Sequence, residues 1–298
     1  MTAVPRKATT EALPPGADQL QGASTAELLA ALSDADQGVP GVVATQLPQI
    51  GRVVDETVAR LRRGGRVRYF GAGTSGRLAT LDAAEIPPTF GVSPGLVEAH
   101  LAGGRDAVAG AIEGAEDSVD AGRREALAAV DEADVAIGVA ASGETPYVRS
   151  AMAAARERGC YTACIVCASG SSLAAEVDQP IELPVGPEVL AGSTRLKAGT
   201  AQKLALNMIS TAVFWRLGHV YLSRMVDVRV TNSKLRRRAI EMVADLAGCD
   251  RERAEEVFDQ AGTAKLAVLM LRTGLELEAA EARLAETGGD LGRALGDD

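Results

Sequence analysis

The sequence predicts an α/β fold: a doubly wound parallel sheet followed by a small C-terminal helical subdomain. Three observations predict it. Short apolar runs and Gly-rich turns alternate with helix-length segments through the middle of the chain. Two of those runs, residues 135–140 and 161–167, are apolar at nearly every position, as strands buried on both faces are. From about residue 230 the strand-like runs stop, and an Arg- and Glu-rich segment reads as helix interrupted by glycines.

Taken in order, residues 1–23 are rich in Pro, Thr and Gly and predict a flexible N-terminal tail. Ser24 with Glu27 three positions on is a capping box that opens a short helix. A main domain is expected over residues 24–229. Val42, Val43, Leu47, Ile50, Val53, Val54, Val58 and Leu61 recur at helical spacing, so a helix is expected over 39–63, ended by Gly64 and Gly65. Residues 66–70 form a strand that runs into a Gly-rich turn. The following helix starts near Ser75 and stops before Pro87 and Pro88. A strand near 96–99 and a long helix over 107–130 come next. Strand 135–140 leads to helix 146–158, with Pro146 at its first position. Strands 161–167 and 181–185 and a long helix over 193–217 complete the pattern. Residues 230–298 then predict three or four helices, broken near Gly248, Gly262 and Gly274. Ligands in such folds bind beyond the C-terminal ends of the strands.

Composition narrows the chemistry. A chain of 298 residues, 47% hydrophobic, is too apolar for disorder and long enough for one large domain with an appendage. Aromatics are only 3%, so much of the core must be Ala, Val and Leu. With 2 His and 4 Cys, neither a His-rich metal site nor a disulfide scaffold is expected. A net charge of -9 argues against nucleic acid as a partner. The N-terminal residues hold no apolar signal segment and no run is long enough to span a bilayer, so a cytoplasmic protein without a membrane partner is expected. Cys164 and Cys167 form a C-x-x-C, but residues three apart on a strand point to opposite faces. They read as small core residues.

Three loops carry the chemistry. Gly71, Gly73 and Gly76 match G-x-G-x-x-G between a strand and a helix, which suits a dinucleotide, with Glu98 as the ribose acid, or simply a tight turn. Thr74 and Ser75 shift the balance, because hydroxyls and free N–H groups at a helix start suit a phosphate monoester. Ser142, Gly143, Glu144 and Thr145 follow the next strand and again precede a helix. They could cap that helix and nothing more. Two neighbouring hydroxyl-bearing loops are what a sugar phosphate gripped from both sides needs, whereas a pyrophosphate cofactor needs only the first. The third segment holds Ser193, Thr194, Arg195 and Lys197 at a helix start. Cations there oppose the helix dipole, so an anionic ligand or a carboxylate partner is expected. Among acids, Glu85 lies at the expected end of its helix, where a negative charge is disfavoured. Glu113 and Glu116, three apart, flank Gly114 on the expected long helix. Periodicity leaves open which of Glu113, Glu116 and Asp117 faces the crevice.

Six segments in this order form a pattern: G-A-G-T-S-G-R-L from Gly71, L-D-A-A-E-I-P-P-T-F-G from Leu81, E-G-A-E-D from Glu113, A-A-S-G-E-T-P-Y-V from Ala140, the Gly186 to Lys203 stretch G-P-E-V-L-A-G-S-T-R-L-K-A-G-T-A-Q-K, and M-V-D-V-R-V-T-N-S-K-L from Met225. Together they resemble the N-acetylmuramic acid 6-phosphate etherases, members of the sugar isomerase (SIS) domain superfamily, over about residues 28–284. The resemblance implies a flavodoxin-like sheet and a homodimer with no metal or organic cofactor. It implies cleavage of the lactyl ether of N-acetylmuramic acid 6-phosphate to N-acetylglucosamine 6-phosphate and D-lactate, in peptidoglycan recycling. The implied route is elimination and then hydration on the open-chain sugar. Carried over by position, the proton donor falls on Glu85 and the second catalytic acid on Glu116. Such an elimination needs one ionised and one protonated carboxyl. Thr74, Ser75, Ser142, Gly143 and Thr145 fall on the phosphate loops, and Ser193, Thr194 and Lys197 on the third loop. The chain departs from the family at several positions: Ala84 and Ile86 replace Ser and Cys, Glu144 replaces Arg, Leu222-Ser223-Arg224 replaces Gly-Asn-Leu, and Ser233 replaces Glu. A sugar-phosphate-binding regulator without catalysis and an aldose–ketose isomerase are the competing readings. Retention of both Glu85 and Glu116 favours the etherase.

Overall fold

Helices before the first strand are α1 (Thr25–Gln37), α2 (Val39–Ala44) and α3 (Leu47–Arg62). The expected capping box opens α1, with Ser24 and Glu27 bonding each other's backbone N–H. The helix expected over 39–63 is two helices, because the chain turns at Thr45 and Gln46 before Pro48 restarts it. A computed structural model describes residues 9–297 of the chain. The tail expected over 1–23 therefore lies partly outside the described residues; within it, Thr9–Glu11 and Ala17–Leu20 form 3-10 turns.

The strands are β1 (Val67–Gly71), β2 (Val97–Leu101), β3 (Val135–Ala140), β4 (Tyr161–Val166) and β5 (Gln179–Glu182). They form one sheet in the order β2-β1-β3-β4-β5, every pair parallel. This is the flavodoxin-type order, and its topological switch point lies between β1 and β3. Connecting these strands are α4 (Gly73–Phe90), α5 (Asp106–Ala109), α6 (Val119–Ala129), α7 (Pro146–Glu157) and α8 (Ser172–Glu176), and α9 (Lys197–Arg216) follows β5. One face of the sheet packs Phe70, Ala136, Ala140 and Cys164 against Tyr147, Val148, Ala151, Met152 and Ala155 of α7. The shortage of aromatics is met by alanine, which lets α6 and α7 lie close together.

Two expectations for this region are corrected. The long helix expected over 107–130 is broken into α5, a 3-10 turn at Ala115–Asp117, and α6. Gly114 takes a left-handed φ of 71°, which ends any helix, and the Ser118 side chain accepts from the Ala121 N–H to start a new one. Helix α4 does not stop before Pro87 but continues to Phe90. Its last turn, which lacks the two proline N–H groups, is held by Gly91 N donating to Pro87 O (3.0 Å) and Thr89 Oγ1 donating to Glu85 O (2.6 Å).

By its internal contacts the chain divides into two compact units, Met1–Ala84 with Gly95–Ser210, and Glu85–Pro94 with Thr211–Asp298. The second unit holds a two-stranded hairpin, β6 (Val220–Tyr221) with β7 (Arg224–Met225). Five helices follow: α10 (Ser233–Ala247), α11 (Arg251–Ala261), α12 (Ala264–Thr273), α13 (Leu277–Glu286) and α14 (Leu291–Leu295). Gly248, Gly262 and Gly274 are left-handed C-caps, as the glycine breaks suggest. Val243, Val257, Phe258, Val268 and Leu269 form its core. Residues ahead of 230 join it through Phe90 stacked on Phe214 (4.8 Å) and Arg229 donating to Val92 O (2.9 Å). Buried Lys265 contacts the Asp227 carboxylate, which also receives His219 Nδ1 at 2.8 Å. No helix among the described residues is long and apolar enough to cross a membrane.

Candidate active site

The site grows from the ends of β1 and β3, the two strands that flank the switch point. Gly71 closes β1 and Gly73 opens α4 with φ 53°. A Cβ on Gly71 would stand 2.7 Å from Gly76 Cα, so the first turn of α4 packs directly on the strand end. That close approach brings Thr74 and Ser75 to the helix start, where the N–H groups are free. Ser75 is buried, and its Oγ donates to Gln202 Oε1 of α9 at 2.8 Å.

After β3, Ser142 Oγ accepts the Glu144 N–H (3.2 Å) and shapes the loop. Thr145 is the N-cap residue of α7, yet its side chain makes no capping bond there. Neither hydroxyl caps α7. Ser75, Ser142 and Thr145 instead line one cavity of about 370 Å³ with Thr74, Gly73, Gly192 and Thr194. Glu116 and Asp117, on the 3-10 turn before α6, line the same cavity. A second cavity of about 320 Å³ shares Ala72, Gly73 and Glu116 and adds Glu113 and Arg77. Glu116 is therefore the acid common to both, while Glu113 faces only the second. Because the chain is broken at Gly114, their three-residue spacing does not put them on one helix face.

The third segment behaves differently from the first two. Glu188 is completely buried, and its carboxylate accepts the Lys197 N–H (3.0 Å) and the Ala198 N–H (2.9 Å). The N-terminus of α9 is thus capped by the chain's own carboxylate, which bonds backbone N–H groups while the Lys197 ammonium turns to a carbonyl. Lys197 Nζ donates to Val185 O at 2.8 Å, and the Ser193 N–H to Leu190 O at 2.9 Å. Of that segment Gly192 and Thr194 reach the cavity wall, while Ser193 and Lys197 are not among its lining residues. Gly143 is buried behind it, its carbonyl accepting from Leu173 N. Glu85 belongs to the second unit, exposed in the last turns of α4.

No Lys or Arg lines the larger cavity among the described residues; its charged lining residues are Glu11, Glu116, Asp117 and Glu144. The Glu144 carboxylate is engaged elsewhere, accepting Ser172 N at 2.8 Å and lying 3.6 Å from Arg149 Nη1. An anion bound here would meet hydroxyls and the N-terminal ends of α4 and α7 rather than a cation. Glu98, the acid a dinucleotide site would use, pairs instead with Arg68 at 3.6 Å. Cys160, Cys164 and Cys167 are buried, and burial pushes each thiol up to about 12, as unreactive core residues. Among the described residues no group of three or more His, Cys, Asp or Glu is arranged to hold a metal ion. Sequence reasoning missed Thr10, Glu11, Gln202 and Glu188. Thr10 and Glu11 also line the cavity, and nothing in a Pro-rich tail marks them. Glu188 carried a signal in the cations at the next helix start.

Three domain families match the chain: the glucokinase regulatory protein N-terminal SIS domain over residues 49–156, the SIS domain over 115–212, and the C-terminal lid domain of glucokinase regulatory protein over 223–265. The phosphoheptose isomerase of Francisella tularensis shares the fold with a TM-score of 0.50 at 14% identity, over 65% of this chain and 100% of that one. An N-acetylmuramic acid 6-phosphate etherase of Cutibacterium acnes is 46% identical over 291 residues, covering 97% of this chain and 96% of the relative. One from Salmonella agona is 48% identical over 278 residues, covering 93% and 94%.

Proposed function

The chain belongs to the N-acetylmuramic acid 6-phosphate etherase family, and from that premise we propose how its own residues carry the reaction. The activity is a carbon–oxygen lyase activity, cleavage of the lactyl ether of N-acetylmuramic acid 6-phosphate, and it fits peptidoglycan recycling. The products in this reading are N-acetylglucosamine 6-phosphate and D-lactate. The phosphate rests against Thr74, Ser75, Ser142 and Thr145, with Thr194 opposite. One observation carries the assignment: Glu116 lines the same cavity as the two phosphate loops. A sugar phosphate anchored there presents its open chain to a carboxyl group.

The bond changes follow from the substrate. The C1 aldehyde acidifies the C2 proton, which a carboxylate removes. The electron pair moves to the C2–C3 bond as the C3–O bond breaks, and a carboxylic acid protonates the departing lactate oxygen. Water then adds across the double bond with the proton movements reversed. Glu85 is the proton donor and Glu116 the second catalytic acid. The motif around Glu85 supports the first, and the cavity supports the second. Gly143 shapes the second loop, and Ser193 and Lys197 hold the third in place. The enzyme acts in the cytoplasm as a homodimer, with a small sugar phosphate rather than nucleic acid or membrane as its partner.

Incubation with N-acetylmuramic acid 6-phosphate, followed by a D-lactate assay, tests the reading. Lactate release is expected. A folded protein that releases none overturns it.

A further inference from the structure

We propose that Thr10 is a substrate-contacting residue, its hydroxyl delivered by the N-terminal turn to hydrogen-bond the bound phosphosugar; the proposal rests on the etherase reading above. Thr10 is completely buried, and its Oγ1 has no hydrogen-bond partner among the described residues. An unpaired buried hydroxyl is costly, and a protein gains by replacing it with an apolar group of the same shape. Its neighbours give the hydroxyl a use. Thr10 lines the cavity that Ser75, Ser142, Thr145, Thr194 and Glu116 also line.

The demand for donors in that cavity is high. Among the described residues no cation lines it, so a phosphosugar must be held by neutral groups. Ser75, the other buried hydroxyl on the wall, already spends its proton on Gln202. Ser142 Oγ accepts the Glu144 N–H and so keeps its own proton to donate. Thr10 brings a donor that no internal bond consumes. The residue sits on the 3-10 turn Thr9–Glu11, far in sequence from the loops it joins.

The test compares Thr10→Val, which keeps the shape and removes the hydroxyl, with Thr10→Ser, which keeps the hydroxyl. KM and kcat for lactate release, calorimetric affinity for N-acetylglucosamine 6-phosphate, and Tm are measured for each. For Thr10→Val we expect KM to rise and product affinity to fall by about tenfold, with Tm unchanged or higher. Thr10→Ser keeps both near wild type. A purely structural hydroxyl would lower Tm and leave affinity alone. Unchanged KM and product affinity in Thr10→Val overturn the proposal whatever Tm does. If the wild-type protein binds N-acetylglucosamine 6-phosphate but releases no lactate, the etherase reading falls and the binding arm still decides on Thr10. If the wild-type protein does neither, both fall.

Discussion

Asp82 is enclosed between Tyr69 Oη at 3.0 Å and Ser210 Oγ at 2.9 Å, both donating to it, and burial lifts its carboxyl from 3.8 to about 6 despite those bonds and the nearby Lys203. The folded protein thus holds this proton more tightly than the unfolded chain. Its stabilising contribution is full below pH 3.8 and is lost as pH rises through about 6. A rise of that size corresponds to about 3 kcal/mol. Asp82→Asn removes the ionisation. Denaturant titrations should show the variant gaining about 2–3 kcal/mol relative to wild type between about pH 4 and about pH 7.5. An equal difference at both pH values would refute the assignment. For catalysis, Glu116→Gln and Glu85→Gln should each slow lactate release by about 100-fold or more while leaving Tm near wild type, since neither side chain is buried. A near wild-type rate in either removes that residue from the mechanism. The two glutamates were legible because they lie inside contiguous motifs. Asp82, though inside the same motif as Glu85, and Thr10 were not, because Asp82 is enclosed by Ser210, 128 positions on, and Thr10 lines a cavity built from loops far along the chain.

At the scale of elements, the β6–β7 hairpin turns through Leu222 at φ 44° and Ser223 at φ 60°. A two-residue turn with both positions left-handed favours Asn-Gly, and a side chain such as leucine is strained there. The sequence shows the departure from Gly-Asn at this place but not its consequence, which is backbone strain at an exposed tip. Leu222→Asn with Ser223→Gly should stabilise the protein by about 1–2 kcal/mol, read as a higher Tm. A lower Tm would mean that the turn is held by contacts its dihedrals do not reveal. The α9 start gives the opposite case. Glu188→Ala leaves the Lys197 and Ala198 N–H groups without their carboxylate at a buried helix end, and should cost about 2–3 kcal/mol in denaturant unfolding. A loss below about 0.5 kcal/mol would mean that water replaces the cap. Element types were readable from period and apolar runs, and β3 matches its expected bounds at both ends. Breaks were harder. Gly114 reads as a glycine inside the expected long helix, and its left-handed φ with the Ser118 cap beyond it makes it a stop instead.

Across the whole chain, sheet order follows from physics that the sequence carries: strands joined by helices must run parallel, and an all-apolar β3 belongs at the centre. One helix lies outside that logic. Helix α1 has a complete capping box and 13 residues, yet no residue of it is buried. Leu28, Leu29 and Leu32 are 40%, 61% and 38% exposed along it. A helix of this length is marginal in water without an apolar surface to lie on. A self-complementary contact between two copies would supply that surface, with each chain's α1 seated on the other chain. Leu28→Asp with Leu32→Asp places charge in such a seam without touching the cavity walls. Light scattering should then find the wild-type protein as a dimer and the double variant as a monomer of retained helicity. A monomeric wild type, or a variant that stays dimeric, would rule out α1 as the surface that joins two copies.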